Sequence, residues 1–146
     1  MKKLLLTLAF LIAPTVTFAN TVNCMAETIY FETLGASYEE KLAVAQITMN
    51  RVNHSRFPNN VCSVVYQKSA NVCQYSWACN KNRKIKNQKE YKIAVEIARK
   101  AVSGKVMHTQ VYKSKALFFH ARRINPRWKL RRVYADRQHV FYTYNS

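Results

Sequence analysis

Acidic side chains and glycine are both scarce in this sequence. The 146 residues include 24 lysines and arginines but only seven aspartates and glutamates, which gives a formal charge of +17, and they contain two glycines and three prolines. So few flexible joints are typical of a compact, mainly helical body. The excess of positive charge favours a polyanionic partner: nucleic acid, anionic lipid or a carboxylate-bearing cell-wall polymer.

Long apolar runs are missing from the sequence except at the N-terminus. There Lys2 and Lys3 precede the apolar run Leu4–Ile12, and Thr17-Phe18-Ala19 has the small residues of a cleavage site. This pattern predicts a signal peptide over residues 1–19. The alternative is an uncleaved membrane anchor, but the run is shorter than the roughly 18 residues that a spanning helix needs.

Cleavage after Ala19 would leave residues 20–146, a length typical of a single domain. We expect this part to be exported, periplasmic or secreted, with no integral membrane segment. Loss of Lys2 and Lys3 lowers the formal charge from +17 to +15, because all seven acidic residues remain. An exported chain rarely meets the nucleic acid of its own cell, so a wall polymer or a lipid surface becomes the more favoured partner.

The chain has four cysteines, Cys24, Cys62, Cys73 and Cys79. An even count in an exported protein indicates two disulfides, for which the sequence alone allows three pairings. The close spacing in "CQYSWAC" suits a small local loop and favours Cys73–Cys79 together with Cys24–Cys62. A zinc site is the alternative, but the sequence has no C-x-x-C and no histidines at finger spacing.

Apolar residues at helical spacing predict four helices. The first extends from about Val22 to Leu34 and ends at Gly35, which can take the left-handed conformation of a residue just beyond a helix. Ser37 and Glu40 form a capping box that begins the second helix. The other two are a short helix after Pro58 and a long one, "NQKEYKIAVEIARKAVSGK", capped by Asn87 and closed by Gly104.

The rest of the chain lacks helical period. "SANVCQYSWACNKNRKIK" is predicted to be a loop. "ALFFHA" and "HVFYTYN" are short, aromatic and partly alternating, so they indicate strands of a small hairpin or extended segments packed on the helices. Turn signals lie between them at "INPRW" and "YADRQ". The predicted fold class is α+β and mainly α-helical.

Glu32 is the candidate catalytic residue. It falls in the last turn of the first predicted helix, where exposed backbone carbonyls disfavour an ionised carboxylate and raise its pKa. Burial beside Tyr30, Phe31 or Trp77 would act in the same direction. A carboxylic acid that stays protonated near neutral pH is what general-acid cleavage of a glycosidic bond requires. The ordinary alternative is a solvated glutamate at a helix end.

No second carboxylate stands out as catalytic. Glu27 would lie about 140° from Glu32 around the helix, so we expect it to pair with an arginine or to be exposed. Retaining and inverting glycosidases use two carboxyl groups. A lytic transglycosylase needs one, because the muramic acid 6-hydroxyl replaces water and gives a 1,6-anhydro product. The remaining acids are assigned to helix starts, charged helix faces and a basic turn: Glu39, Glu40, Glu90, Glu96 and Asp136.

Several stretches together resemble the SleB-type cell wall hydrolase family, the family of the spore-cortex-lytic enzyme. They are "MAETIYFETLG", "EKLAVAQITMNRVNHSRFPNNVCSVVYQ", "CQYSWAC", "ALFFHA", "NPRW" and "RQHVFY", in the family's order from about Cys24 to Tyr142. The resemblance implies a compact lysozyme-like fold and cleavage of peptidoglycan glycan strands. The first glutamate of the family's Y-x-E-A-x-G-E-like motif matches Glu32, and its second falls on Ala36.

The resemblance also implies other residues of the site. Asn50 and Arg51 are expected to hydrogen-bond loops that shape the cleft or simply to end a helix. His120 and His139 have no third ligand in view, so we expect hydrogen-bonded structural histidines, no metal and no cofactor. Tyr112 and Trp128 are further groove candidates, with core packing as the alternative. The expected substrate-binding residues are Gln74, Tyr75, Ser76, Trp77, His120 and Tyr142.

The expected function is therefore glycan-strand cleavage by a monomer whose partner is peptidoglycan and not nucleic acid. A non-catalytic wall-binding module is the first alternative, suggested by Ala36 and the high charge. A cationic nucleic-acid binder or nuclease is the second, suggested by charge alone and lacking any nucleic-acid motif. The basic stretches "KNRKIKNQK" and "RRINPRWKLRR" are expected to be solvated faces that hold the protein on the anionic wall, an attraction that salt weakens.

Overall fold

The computed structural model of the chain describes residues 15–145. The helices within this range are α1 (Thr15–Glu32), α2 (Tyr38–Val52), α3 (Val61–Val65), α4 (Gln88–Val102) and α5 (Thr109–Lys113). The strands are β1 (Lys68–Ser69), β2 (Val72–Cys73), β3 (Phe118–Ala121), β4 (Arg131–Ala135) and β5 (His139–Thr143), and a 3₁₀ helix covers Ser76–Cys79.

Most of the predicted signal peptide, residues 1–14, lies outside the described range. Positions 15–19 form the beginning of α1, which therefore starts earlier than the predicted Val22. The observed order of elements is mainly helical with small antiparallel sheets and agrees with the predicted α+β class. No helix of residues 15–145 combines the length and the hydrophobicity needed to cross a bilayer.

The helix ends follow local signals in the sequence. α1 ends at Glu32, two residues before the predicted Leu34. The backbone N–H and the hydroxyl of Thr33 both donate to the carbonyl of Ile29, and Gly35 then turns the chain with φ +72°. The capping box of α2 is confirmed: the Ser37 N–H donates to the Glu40 carboxylate at 2.8 Å, and the Glu40 N–H donates to the Ser37 hydroxyl at 3.3 Å.

Helix α2 is buried on both sides and joins the two halves of the fold. On one side Leu42 belongs to a cluster with Met25 of α1 and Ile97 of α4. On the other side Ile47 belongs to a second cluster with Phe141 of the sheet. Because both faces pack against apolar clusters, α2 forms the middle layer between α1, α3 and α4 on one side and the sheet with α5 on the other.

The C-terminal sheet has three antiparallel strands in the order β3-β5-β4, one strand more than the two predicted segments. Strand β4 was missed because its arginines resemble a solvated turn. Arg131 and Arg132 are exposed on this edge strand, where charged side chains protect an open edge from further pairing. A register shift between Arg132 and Tyr134 adds a bulge that bends the edge.

Two further segments differ from the sequence prediction. The predicted loop after α3 contains the short β1–β2 hairpin and the 3₁₀ helix. Helix α5 was not predicted, and the side chain of His108 caps it by accepting the Val111 N–H at 3.3 Å. In the structure Cys24–Cys62 links α1 to α3 with Cα atoms 5.2 Å apart, and Cys73–Cys79 closes the 3₁₀ segment at 5.8 Å.

Candidate active site

A cleft of about 960 Å³ lies where the helices meet the sheet. Its walls are the ends of α1 and α2, residues 73–77, β3 with the loop that follows it, and the turn between β4 and β5. The volume is at the upper end of the range usual for ligand sites, about 300–1,000 Å³. Segments distant in sequence therefore build a single groove large enough for part of a polymer.

Glu32, the last residue of α1, lines this cleft. Burial of its carboxyl group raises the pKa, and this is the largest influence on it. His139, the Trp77 indole and the Arg51 guanidinium act in the opposite direction but do not cancel the effect of burial, so the net shift is upward. The side chain is thus held closer to a protonated carboxylic acid than a solvated glutamate would be.

Aromatic rings form the wall beside Glu32. Trp77 stacks on Phe31 with ring centroids 4.9 Å apart and on Tyr75 at 5.9 Å. The indole N–H lowers the pKa of Glu32, although it makes no hydrogen bond of normal geometry to any described residue. The indole of Trp77 therefore lies close enough to Glu32 to act on its charge.

All four candidates of the 74–77 segment line the cleft, but their exposure differs. Gln74 and Ser76 are exposed, Trp77 is half-buried and Tyr75 is buried. The Tyr75 hydroxyl accepts a hydrogen bond from Arg51 at 3.1 Å. Tyr75 therefore supports the wall, while Gln74 and Ser76 offer polar atoms to the groove.

Asn50 and Arg51 fasten the end of α2 to the sheet side of the cleft. The buried Arg51 donates from Nε to the carbonyl of Leu117 at 2.7 Å. Asn50 donates from Nδ2 to the carbonyls of Val111 at 3.0 Å and Ala116 at 2.9 Å. These contacts give both residues the loop-holding role that the family resemblance implies.

His120, on the opposite wall, is buried and hydrogen-bonded at both ring nitrogens. Nδ1 lies 2.9 Å from the carbonyl of Ala121, and Nε2 lies 3.0 Å from the hydroxyl of Tyr142. Because a carbonyl only accepts, Nδ1 must carry the proton, and Nε2 of the neutral ring then accepts from Tyr142. This agrees with a hydrogen-bonded structural histidine that also lines the cleft.

Three aromatic candidates differ in their distance from the groove. Tyr142 does not line it but stacks beside His120, with ring centroids 5.3 Å apart. Trp128 lines the groove, is 41% exposed and packs edge-on against Tyr142 at 5.6 Å. Tyr112 lies exposed on α5, away from the cleft residues.

His139, predicted only as a structural histidine, is a cleft residue. It is buried, lines the cleft and influences the charge of Glu32. Its Nδ1 lies 3.8 Å from Oδ1 of Asp136, and that oxygen also accepts the His139 N–H at 2.6 Å. Burial opposes ionisation of Asp136, but its contacts with His139 and the Gln138 N–H outweigh that effect and lower its pKa.

One local feature of the sequence indicated the contact between Asp136 and His139. Asp136 accepts backbone N–H groups two and three residues later, as aspartates do at the start of turns. Nothing local indicated that the turn would lie near Glu32. Within residues 15–145 no three histidine, cysteine or acidic side chains are grouped as a metal site would require.

Among the described residues, Glu32 is the single carboxylate that lines the cleft. Glu27 pairs with Arg83 at 3.4 Å and accepts from the Tyr66 hydroxyl, which confirms its predicted role as a structural partner. Ala36 is not a cleft residue, and its carbonyl accepts from Lys41 at 2.7 Å.

Comparisons with known proteins give similarities in both sequence and fold. The spore cortex-lytic enzyme of Bacillus subtilis (strain 168) is 35% identical over 51 residues, which are 35% of this chain and 17% of that protein. The enzyme of the same description from Oceanobacillus iheyensis is 37% identical over 51 residues, 35% of this chain and 18% of that protein. The match thus spans less than a fifth of the length of these relatives.

The solved catalytic domain of the Bacillus cereus SleB protein has the same fold. Its TM-score is 0.61 at 21% identity, over 86% of this chain and 91% of that chain. The family model described as Cell Wall Hydrolase matches residues 35–142, a segment that begins after Glu32. Because this match covers most of the sequence, the chain belongs to the cell wall hydrolase family.

Proposed function

We propose that this protein is an exported enzyme that cleaves the glycan strands of peptidoglycan, with Glu32 as its general acid and base. The observation that carries the proposal is the burial of the Glu32 carboxyl group in the cleft, which raises its pKa. Membership of the cell wall hydrolase family supports peptidoglycan as the substrate. The signal-peptide pattern and the two disulfides support export.

The carboxylate content of the cleft favours a lytic transglycosylase. Ordinary retaining and inverting glycosidases, which use water, employ a second carboxyl group as nucleophile or as base. Among the described cleft residues Glu32 has no such partner. A substrate that supplies its own nucleophile, the 6-hydroxyl of muramic acid, makes a second carboxylate unnecessary.

In the proposed reaction a single proton leaves Glu32 in the first step and another returns to it in the second. Protonated Glu32 donates to the glycosidic oxygen as the bond from that oxygen to the muramic acid C1 breaks. The resulting carboxylate accepts the proton of the muramic acid 6-hydroxyl. At the same time the oxygen of that hydroxyl bonds to C1 and forms the 1,6-anhydro ring. No water is consumed, and Glu32 is protonated again. The raised pKa of Glu32 suits both steps, because acid and base forms then interconvert closer to working pH.

The test is digestion of purified peptidoglycan sacculi by wild type and Glu32→Gln, with mass spectrometry of the released fragments. We expect anhydro ends from wild type and a rate lower by about 10²–10⁴-fold in the variant, the usual contribution of a general acid. Glu27→Gln is the matched control on the same helix, and it should retain activity because Glu27 lies outside the cleft.

The stability of Glu32→Gln provides a folding check. A carboxylate whose folded pKa is raised is penalised when ionised, so wild-type stability falls as pH rises from 4.5 through the folded pKa. The neutral variant should therefore be at least as stable as wild type at pH 7. Equal release by wild type and Glu32→Gln would contradict the role of Glu32. Reducing ends in place of anhydro ends would contradict the transglycosylase outcome alone.

A further inference from the structure

The cleft is asymmetric in charge. Glu32 is the one acid among its described lining residues, whereas the sheet side contributes Arg122, Arg123 and Arg137. Because burial favours the neutral form of Glu32, the cleft presents net positive charge to a bound ligand. Low-dielectric walls concentrate such a field on any anionic group that enters.

These arginines are not equally available to a ligand. Arg137 is engaged with the Glu40 carboxylate at 3.3 Å. Arg122 uses one nitrogen to donate to the backbone carbonyl of Asp136 at 2.9 Å. Arg123 is exposed and makes no hydrogen bond or ion pair with any residue of the described part of the chain. Arg123 therefore has a complete set of unused donors at the edge of the cleft.

The same loop, residues 122–130 between β3 and β4, also carries exposed apolar side chains. Ile124 is 50% exposed, Trp128 is 41% exposed, and both line the cleft. His120 supports the Trp128 ring edge-on, with centroids 5.3 Å apart. A fixed aromatic face suits the C–H face of a sugar ring, and the arginines beside it suit an acidic substituent on that sugar.

We propose that the 122–130 loop is a carboxylate-binding subsite, with Arg123 as its main ligand-binding residue. It would favour glycan strands that bear free carboxylates over strands that are neutral. The planar guanidinium matches the two oxygens of a carboxylate and can bind both at once. The proposal rests on the proposed function, because the strand must lie across Glu32 for its substituents to reach this loop.

Carboxylates on a peptidoglycan strand come from two sources. One is the lactyl group of muramic acid where its stem peptide has been removed, and the other is the stem peptide itself. Three substrates separate these cases: intact strands, the same strands with their carboxyls capped as neutral amides, and peptide-free strands with lactyl carboxylates. We expect wild type to cleave the amide-capped strands with a higher KM than the intact strands and with a similar kcat.

Substitution of Arg123 provides the second arm of the test. Arg123→Gln should raise KM for intact strands by roughly tenfold at low salt, from the loss of an ion pair and its hydrogen bonds, and should leave kcat nearly unchanged. Arg123→Lys should restore only part of the affinity, because it keeps the charge but not the two-point geometry of the guanidinium. Lys89→Gln removes the same charge from the exposed start of α4 and should leave KM unchanged.

The outcomes distinguish the subsite from the proposed function. If Arg123→Gln and Lys89→Gln have the same KM on intact strands and also on peptide-free strands, or if wild type has the same KM for capped strands as for both of these substrates, the subsite is refuted while strand cleavage stands. If wild type cleaves no substrate, both proposals fail. A KM that depends on Arg123 for peptide-free strands alone supports the subsite and assigns the lactyl group, and dependence for both substrates supports it and assigns both carboxylates. The same dependence on intact strands alone supports it and assigns the stem peptide.

Discussion

Substituting Lys41 by methionine should loosen the turn that follows Glu32. The ammonium group of Lys41 is buried and donates to the carbonyls of Thr33 at 3.0 Å and Ala36 at 2.7 Å. It also forms an ion pair with Glu90 of α4 at 3.0 Å. One side chain of α2 thus joins the end of α1 to α4, and methionine keeps its apolar stem but none of these contacts.

The expected loss follows from those contacts. A hydrogen bond to a charged group contributes about 1.5–3 kcal/mol, and breaking a buried ion pair by removing one partner costs about 3–5 kcal/mol. The Glu90 side chain is 23% exposed, but the Oε2 atom that faces Lys41 is buried, so water offsets only part of the cost. We therefore expect Lys41→Met to lower the free energy of unfolding by about 4 kcal/mol, a large part of the roughly 5–15 kcal/mol typical of a domain.

Urea unfolding measures this change. The midpoint should fall while the slope with urea stays the same, as for a loss of stability without a change in the exposed surface. Lys100→Met is the matched control, because Lys100 pairs with Glu96 on the exposed face of α4 at 2.7 Å. Its removal should not shift the midpoint measurably, since exposed pairs contribute little.

Activity provides the link from this network to the site. Turnover per folded molecule of Lys41→Met should fall, because the Thr33–Ala36 turn fixes the direction of the Glu32 side chain. If Lys41→Met and Lys100→Met unfold at the same urea concentration, the reasoning about the buried ammonium is refuted. If Lys41→Met is destabilised but fully active when folded, the network supports the fold and not the orientation of the acid.

Two further predictions concern His139 and the disulfides. His139→Gln should move the high-pH limb of the profile of kcat against pH to higher pH. A protonated His139 lowers the pKa of Glu32, so its removal leaves the effect of burial on that pKa less opposed. A limb that stays at the wild-type pH would contradict this. Loop-closure entropy gives about 4 kcal/mol for Cys24–Cys62, with a separation of 38 residues, and about 2 kcal/mol for Cys73–Cys79, with a separation of 6. Urea unfolding of the two double alanine variants should show the larger loss for the first pair, and equal losses would contradict the entropic account.

Local chemistry explains which elements could be predicted. The capping box at Ser37, the positive φ of Gly35 and the end of α4 just before Gly104 depend on a few neighbouring residues, and each was predicted. Strand β4 was not predicted, because an edge strand with exposed arginines is defined by its pairing with β5. Helix α5 is a single short turn whose cap, a histidine, is an uncommon N-cap residue.

The sequence by itself determined the class of the fold, the starts of α2 and α4 and the identity of the one acid in the last turn of α1, since these depend on neighbours along the chain. It could not determine what surrounds that acid. Trp77, Arg51 and His139 reach Glu32 from three separate segments, and their arrangement exists because α2 is packed between the helices and the sheet. The burial that raises the pKa of Glu32 is a property of that packing, so only the tertiary structure decided it.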